Sequence, residues 1–299
     1  MNELSVIYNP LEVIIQTVTN PINGNVIKPA KFIGVKRSLI YDSFGNQLVS
    51  HKELVLIVAL CSLNPEQEPM LYVTPKTIHY ALTNRRYNES TDKRFLKMII
   101  IPTLENLIAK NVVTVVDGLE VGDKVKVNTD IVLDVTNLLR LEKEPFVGIG
   151  KQELYRIMNV NRLHDKAISR ERLLALFMSV VASISIHNPS STFAQIYEDT
   201  KQYTGLVCYK SFEKLTELTG LSKTSMTEYF ELLEEMKLLY CHSFGKYKLE
   251  DGKLRTLNNW YARYQFKEQV IDLAELWLSQ QQHAIYNHKA ILNDVIESD

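Results

Sequence analysis

The chain has 299 residues, of which 45% are apolar and 23% charged, and its net charge is −1 at pH 7. This composition is typical of folded globular proteins, and the length allows about two domains of roughly 100–200 residues each. It excludes a chain that is disordered throughout and one that coats nucleic acid through overall positive charge.

Membrane insertion, secretion and disulfide bonding are not expected either. No apolar run reaches the ~20 residues needed to cross a bilayer. The sequence does not open on a basic segment followed by an apolar stretch, as a secretory signal would. The three cysteines are an odd number without a CxxC pair, which indicates reduced thiols. We therefore expect a cytosolic protein with no membrane contact.

Charge is distributed unevenly along the chain. Residues 74–97 carry six basic and two acidic side chains, and residues 140–172 carry eight basic and five acidic ones. Residues 257–299 carry three basic and six acidic side chains. A surface for nucleic acid is therefore expected in the first half of the chain and at its junction with the second half.

The N-terminal residues 1–49 are predicted to form an arm or a small hairpin. Two β-type runs, residues 13–18 and 32–41, are separated by a segment that contains Pro21 and Gly24. Runs of this kind, interrupted by turn residues, are typical of short strands.

The first predicted domain begins with two capped helices. Ser50 and Glu53 match a capping box, which starts a helix. Thr74 followed by Pro75 is a cap with proline at the first helical position and predicts a second helix. Residues 70–73, between these helices, are predicted to form a strand.

A long helix and a hairpin complete this first domain, which is predicted to span residues 50–140. Thr91 is expected to cap the helix, and Pro102 must kink or split it. Residues 112–116 and 124–128 are predicted to pair as strands. The order helix, strand, helix, helix, hairpin is that of a winged helix, in which the hairpin is the wing.

A linker and a second domain follow. Residues 141–168 are predicted to be the linker because they contain Pro145, Gly148 and Gly150. The second domain is predicted to span residues 169–257, and a helical acidic tail is predicted for residues 258–299. The expected elements are helices over residues 169–186, 193–203, 211–219 and 222–237, and strands over residues 238–242 and 253–257.

Residues 211–240 resemble the helix-turn-helix of bacterial winged-helix proteins. The likeness rests on Thr-Gly-Leu-Ser at residues 219–222 and on the Leu-Glu-Glu-x-x-Leu pattern that starts at Leu233. Two winged helices in a chain of this length are similar to the Rep-type plasmid and phage replication initiators. The resemblance implies an α+β, mainly α fold with two tandem winged-helix modules and a C-terminal helical tail. It implies sequence-specific binding of double-stranded DNA.

Two groups of side chains are the candidates for contact with DNA. A helix fits the major groove and presents its N-terminal polar side chains to base edges, while lysine and arginine bind phosphates and guanine. In the first module the candidates are Arg85, Arg86, Asn88, Thr91, Lys93, Arg94 and Lys97. In the second module they are Ser222, Lys223, Thr224, Ser225 and Thr227, with Lys246 and Lys248 in the wing.

Ordinary solvated surface is the alternative for both groups. The helix predicted after Ser222 also carries Glu228, Glu231, Glu234 and Glu235, which repel phosphate. The junction residues Arg156, Arg162, Lys166, Arg170 and Arg172 either line the path between the modules or are surface charge. Met226, Phe230 and Leu233 repeat at helical spacing and are expected to face the core.

Catalytic chemistry is not indicated. Gly148-Ile-Gly150-Lys151 lacks the spacing of a phosphate-binding loop, and Gln152 stands where that loop has serine or threonine. The seven histidines show no metal-ligand spacing. No His-hydrophobe-His motif accompanies a tyrosine, as a DNA-nicking initiator would need. We therefore expect no enzyme, no cofactor and no metal.

Three functions remain open at this point. The first is a replication initiator of a plasmid or phage, with replication machinery as a further partner. The second is a winged-helix transcription regulator that forms a homodimer through its C-terminal helix and contacts the transcription machinery. The third is a non-enzymatic scaffold that binds protein through its winged helices and acidic tail. The first two fail if residues 93–97 and the start of the helix after Ser222 are buried within the chain.

Overall fold

The computed structural model describes residues 18–19, 26–27, 32–41, 48–120, 122–140, 146–160, 162–163, 166–184, 207–208, 210–244, 246–248, 254–256, 259–268 and 270–275. This part of the chain is a mixed α+β structure, mainly helical, with several small antiparallel sheets. The helices predicted over residues 193–203 and beyond residue 275 lie outside the described residues. Within the described residues, no helix is both long and apolar enough to cross a membrane.

The N-terminal region contributes three short strands. β1 (Val18–Thr19) pairs with β2 (Val26–Ile27). β3 (Phe32–Lys36) is followed by the one-turn helix α1 (Arg37–Ile40). The strand predicted over residues 32–41 is therefore shorter than expected and ends in a helical turn.

The next two helices begin where the sequence predicts. α2 (His51–Leu63) has the full capping box of Ser50 and Glu53. β4 (Met70–Val73) leads to α3 (Pro75–Thr83), which Thr74 caps through the backbone N–H of Thr77. These predictions are confirmed because a cap depends on residues within one turn of each other.

The long helix that follows differs from the prediction at its start. α4 (Glu89–Phe95) is capped by Asn88, whose side chain accepts a hydrogen bond from the backbone N–H of Ser90. Thr91, the expected cap, lies in the first turn instead. Asn88 is favoured because a short amide side chain readily adopts the extended backbone of a cap and accepts from an N–H two residues on.

Pro102 divides the remainder of this helix, as its missing N–H requires. A π-helical turn (Leu96–Ile100) precedes α5 (Ile101–Ala109), and Pro102 lies in the first turn of α5. The backbone N–H of Ile101 donates to the carbonyl of Leu96, one residue farther back than in an α-helix. The change in hydrogen-bond step lets the helical path continue through the proline.

The sheet of this region pairs differently from the predicted hairpin. β5 (Thr114–Asp117) pairs with β6 (Ile131–Asp134), and β6 also pairs with β4, which gives the strand order β4-β6-β5. Residues 124–128, the expected partner, form no strand. Ile131 and Leu133 are buried while the residues between and after them are partly exposed. This alternation makes residues 131–134 the better strand. A 3-10 turn (Thr136–Leu138) follows.

The segment predicted as a linker contains regular structure. β7 (Phe146–Gly150) pairs antiparallel with β3, and Val147 and Ile149 are buried. α6 (Lys151–Asn159) follows directly. Gly148 and Gly150, which suggested a flexible connection, instead lie in a strand whose partner is more than 100 residues away in sequence. β8 (Arg162–Leu163) and β9 (Lys166–Ala167) form a small hairpin before α7 (Arg170–Ile184).

After α7, the described residues of the second half include a pair of helices and a long hairpin. α8 (Phe212–Thr219) ends at Gly220, whose φ of 66° is left-handed, and α9 (Lys223–Glu235) begins after Ser222. The strands seen among the described residues here are β10 (Leu239–His242), β11 (Lys246–Lys248), β12 (Leu254–Thr256) and β13 (Trp260–Arg263). A 3-10 turn (Tyr264–Phe266) follows, and residues 270–275 are helical.

The pairing within this hairpin corrects the prediction. β10 pairs with β13 rather than with residues 253–257, and β11 pairs with β12. Both pairings have the same register, so they belong to one continuous antiparallel hairpin. β10 and β11 form its first arm, and β12 and β13 form its second. Residues 260–263, predicted to lie in the C-terminal helical tail, form β13 instead. The return strand is therefore longer than its β-type sequence suggests.

The two halves repeat one order of elements. In the first half the order is α2, β4, α3, α4–α5, β5 and β6, with β6 between the other strands. In the second half the order is α7, an isolated β-bridge residue (Cys208), α8, α9, β10 and β13. Cys208 pairs with Tyr261 in β13, so β13 again lies between the other two.

The halves share one apolar core. α2 and α7, the first helix of each half, pack against each other, and nearly every residue of both helices is buried. One continuous cluster of buried side chains extends from Ile33 to Tyr261. A smaller cluster beneath residues 270–275 includes Tyr240 and Trp260. A helix that is apolar on all sides must be covered on all sides, so the two halves form one body.

Candidate nucleic-acid interface

The first candidate surface lies on the loop before α4 and on the outer side of α4 and the π-helical turn. We call its exposed members the α4 surface: Arg85, Arg86, Thr91, Lys93, Arg94 and Lys97 are all exposed. Asn88 is exposed too, but its side chain is engaged in capping α4. Lys93, Arg94 and Lys97, the positively charged residues of the segment 93–97, are all exposed. The surface is therefore open to a large partner.

Asp92 fixes the loop that carries this surface. Its side chain is buried, and it accepts a hydrogen bond from the backbone N–H of Asn88 at 3.0 Å. The Arg85 guanidinium lies 3.7 Å from the same carboxylate, while the Arg85 side chain remains 47% exposed. The loop is thus anchored from within, and Arg85 still faces solvent.

His79 lies beneath this loop and is completely buried. Its ring meets Tyr87 and Phe95 edge-on, and its Nε2 is 3.6 Å from Asp92. Burial lowers the pKa of His79, and the nearby Asp92 carboxylate only partly opposes that shift. A neutral imidazole therefore supports the turn between α3 and α4.

The cations of the α4 surface differ in their availability. Lys93 donates to Glu89 at 2.7 Å, one turn earlier on α4. Within the described parts of the chain, Arg86, Arg94 and Lys97 have no ion-pair partner. An exposed pair such as Lys93–Glu89 contributes little to stability, so a phosphate can replace Glu89 at small cost.

Two neighbours of the α4 surface were not selected from the sequence. The Lys76 ammonium lies 5.3 Å from the centre of the Tyr87 ring, and Met98 is 62% exposed beside Lys97. Lys76 lies within the basic segment 74–97, so its charge was a usable signal. The exposure of Met98 had no signal, because a methionine at helical spacing is normally part of the core.

The second candidate surface is the start of α9. We call Ser222, Lys223, Thr224, Ser225 and Thr227 the α9 surface; all are exposed except Ser225, which is half-buried. Ser222 caps α9 through the backbone N–H of Ser225 at 3.2 Å, as predicted. Lys223 donates to Glu213 on α8 at 2.7 Å, and the Thr227 hydroxyl donates to the carbonyl of Lys223 at 3.4 Å.

The opposite side of α9 lies in the core. Met226 and Leu233 are fully buried, and Phe230 is 5% exposed. The Phe230 ring stacks on Tyr261 of β13 with centroids 4.6 Å apart. The prediction that these residues face inward is confirmed. The glutamates lie on the outer side, where Glu231 and Glu235 are exposed.

The two wing candidates lie in one strand. Lys246 pairs with Thr256 and Lys248 with Leu254, across β11 and β12. β11 continues the line of β10, which follows α9 after a short turn. The α4 surface and the α9 surface thus occupy corresponding places in the two halves, each on the helical segment that leads into the hairpin.

Among the described residues, no group of three or more histidine, cysteine, aspartate or glutamate side chains is placed to hold a metal ion. In comparisons with protein-family models, curated proteins and solved structures, none matches the chain.

Proposed function

We propose that this protein binds double-stranded DNA sequence-specifically through two winged-helix modules, as an initiator of plasmid or phage replication. The observation that supports the proposal is the repeated order of elements, in which the helical segment before each hairpin has an exposed face with cations and hydroxyls. Lysine, arginine, serine and threonine are the residue types that contact phosphates and base edges.

The exposure of both faces supports contact with a duplex. An α-helix is about as wide as the major groove, and it can enter only if its outer side is clear. Arg94 and Lys97 on the α4 surface and Thr224 on the α9 surface are exposed. In this proposal the hairpins that follow α5 and α9 are the wings. Lys246 and Lys248 in the second wing lie beside the DNA backbone.

Protein binding is the competing proposal, and the glutamates of α9 favour it. Glu231 and Glu235 are exposed on the helix that would enter a groove, and each repels phosphate. In that case the winged helices form a scaffold, and the acidic tail provides a docking face. A transcription regulator would bind DNA through the same surfaces and differs only in its downstream partner.

A binding experiment separates DNA from protein recognition. The full chain is titrated against a random duplex at two salt concentrations, and bound sequences are then selected from a random pool. DNA binding predicts an affinity that falls steeply with salt, together with an enriched motif. No binding at low salt would overturn the proposal. Replication of a test plasmid that carries the selected sequence then separates an initiator from a transcription regulator.

A further inference from the structure

The start of α7 touches both candidate helices. The backbone N–H of Ser169 donates to the Tyr229 hydroxyl on α9 at 2.9 Å. The Arg170 guanidinium lies 5.5 Å from the centre of the Phe95 ring on α4, and it also donates to the carbonyl of Met158 at 3.0 Å. This short segment is therefore the structural junction between the α4 surface and the α9 surface.

Positive side chains gather at this junction. Lys52, near the start of α2, is exposed, and Arg170 and Arg172, at the start of α7, are half-buried. We call these three residues the junction surface. α2 and α7 pack against each other. In keeping with this packing, burial and then the charge of Arg172 lower the pKa of His51, and Glu171 opposes the shift. Arg85, in the loop before α4, extends the positive charge toward α4: it lies 3.7 Å from Asp92 and remains 47% exposed.

Three carboxylates lie around the junction, and Glu171 and Asp92 offset part of the charge of Arg170. Asp92 is buried and shared with Arg85, and Glu171 accepts a hydrogen bond from the Ser169 hydroxyl at 2.7 Å. Glu228 lies close to Tyr229 on α9. Within the described residues, Lys52 and Arg172 have no ion-pair partner. A phosphate of the DNA backbone would supply the missing negative charge.

We propose that Lys52 and Arg172 bind phosphates of the DNA backbone segment that passes between the grooves entered by α4 and α9. Arg170 acts as a positioning residue, since its guanidinium is held by Phe95 and Met158 and fixes the start of α7 between the two helices. The inference rests on the proposed function. It adds a third contact, which is independent of sequence because phosphates are the same at every step.

The test compares three substitutions of single cations in the full chain. Lys52→Ala and Arg172→Ala remove the junction cations. The matched control is Arg140→Ala, because Arg140 lies over the Phe146 ring at 4.7 Å and its charge acts on Cys61, near the far end of α2. The 13 residues of α2 separate the two ends by about 18 Å. Thermal melting shows whether each variant is folded, and Lys52→Ala alters no described contact.

Each junction variant should weaken binding to selected and random duplexes by the same factor. Each should also lower the slope of log affinity against log salt by about one, the effect of a lost phosphate contact. Arg140→Ala should leave both values unchanged. A duplex with uncharged methylphosphonates midway between the two grooves should bind the wild type less tightly, and the junction variants should show little further loss.

The possible results separate this inference from the proposed function. If Arg94→Ala weakens binding while Lys52→Ala and Arg172→Ala match the wild type, the junction contact is wrong and the DNA-binding proposal stands. If Arg140→Ala weakens binding equally, only net charge matters and the junction contact is again wrong. If the wild type binds no duplex at low salt, both are wrong.

Discussion

Arg263 at the end of β13 pairs with Glu153 in the first turn of α6, which joins the second half of the chain to the segment between the halves. The same guanidinium donates to the carbonyl of Gly148 in β7 and lies 5.4 Å from the centre of the Phe177 ring on α7. Both side chains of the pair are less than one-fifth exposed. This contact determines how the second hairpin lies against the body.

Replacement of Arg263 by methionine should destabilise the protein. Methionine keeps the packing on Phe177 but leaves Glu153, among the described residues, with the backbone N–H of Gly150 as its one remaining donor. We expect a loss of roughly 3 kcal/mol, the lower end of the range for breaking a buried ion pair, measured by urea unfolding. A double-mutant cycle with Glu153→Gln isolates the pair. A coupling energy near zero would show that the two side chains act independently.

Arg94→Ala and Lys97→Ala should weaken DNA binding without altering stability. Both side chains are exposed, so their loss should leave the melting temperature nearly unchanged, while each lost phosphate contact lowers affinity and its salt dependence. Binding is measured by fluorescence anisotropy with labelled duplex. Glu89→Gln is the matched opposite: it releases Lys93 from its pair and should strengthen binding. A parallel fall in melting temperature for Arg94→Ala would indicate a structural role instead.

Phe230→Ala should cost about 3–5 kcal/mol, as for other large aromatic side chains removed from a core. The ring is stacked on Tyr261 and meets Phe212 edge-on with centroids 6.0 Å apart, so the cavity cannot close without moving α8 or β13. Chemical denaturation at pH 7 measures the loss. Phe230→Leu, which fills more of the space, should cost less. Equal costs for the two variants would contradict the packing described here.

The carboxylate of Glu53 should make stability depend on acid pH. Burial favours a higher pKa for Glu53, but hydrogen bonds from Lys110 at 2.6 Å and from Ser50 outweigh burial and hold the pKa below its usual value. The stabilisation is therefore complete above the unfolded pKa of about 4.3 and is lost as pH falls through the folded pKa.

Glu53→Gln removes this dependence and, at neutral pH, about 1.5–3 kcal/mol of stability, the usual contribution of hydrogen bonds to a charged group. The free energy of unfolding, measured at several pH values, should differ most from wild type at pH 7 and least in acid. Glu231→Gln, at an exposed position, is the control and should follow the wild-type curve. A constant difference across the pH range would mean that the carboxylate charge contributes nothing.

His79 should produce a second pH effect, at a higher pH. Because burial lowers its pKa, the unfolded chain takes up a proton near pH 6.5 while the folded chain does not. Stability should therefore fall as pH drops below about 6.5, and His79→Leu should show a shallower fall. The pKa values of His51 and His242 are also lowered by burial, so the variant keeps part of the slope. An unchanged slope would show that His79 takes up its proton equally in the folded and unfolded chains.

Local signals predicted local structure well. The caps at Ser50, Thr74 and Ser222 lie where their residue types indicate, and the inward face of α9 follows its helical spacing. Asn88 took the place of Thr91 as a cap because both are good capping residues three positions apart, and spacing alone does not decide between them.

Strand partners could not be predicted in the same way, because pairing depends on residues far apart in sequence. The sequence of β7 predicts a linker because it contains Gly148 and Gly150. Its pairing with β3 is what makes it a strand. Likewise β6 rather than residues 124–128 pairs with β5, since β6 must also pair with β4. The exposed cations were predictable from charge, whereas the position of Arg172 relative to α2 depends on the packing of α2 against α7.

The contact between α2 and α7 makes the two halves dependent on each other for solubility. Each helix is apolar on all sides. If the chain were cut between the halves, both fragments would therefore expose a large hydrophobic surface to water. An exposed apolar surface of this kind leads to aggregation, or it packs against the corresponding helix of another copy. The unit that folds is therefore the pair of halves, and a single half should not fold as a separate module.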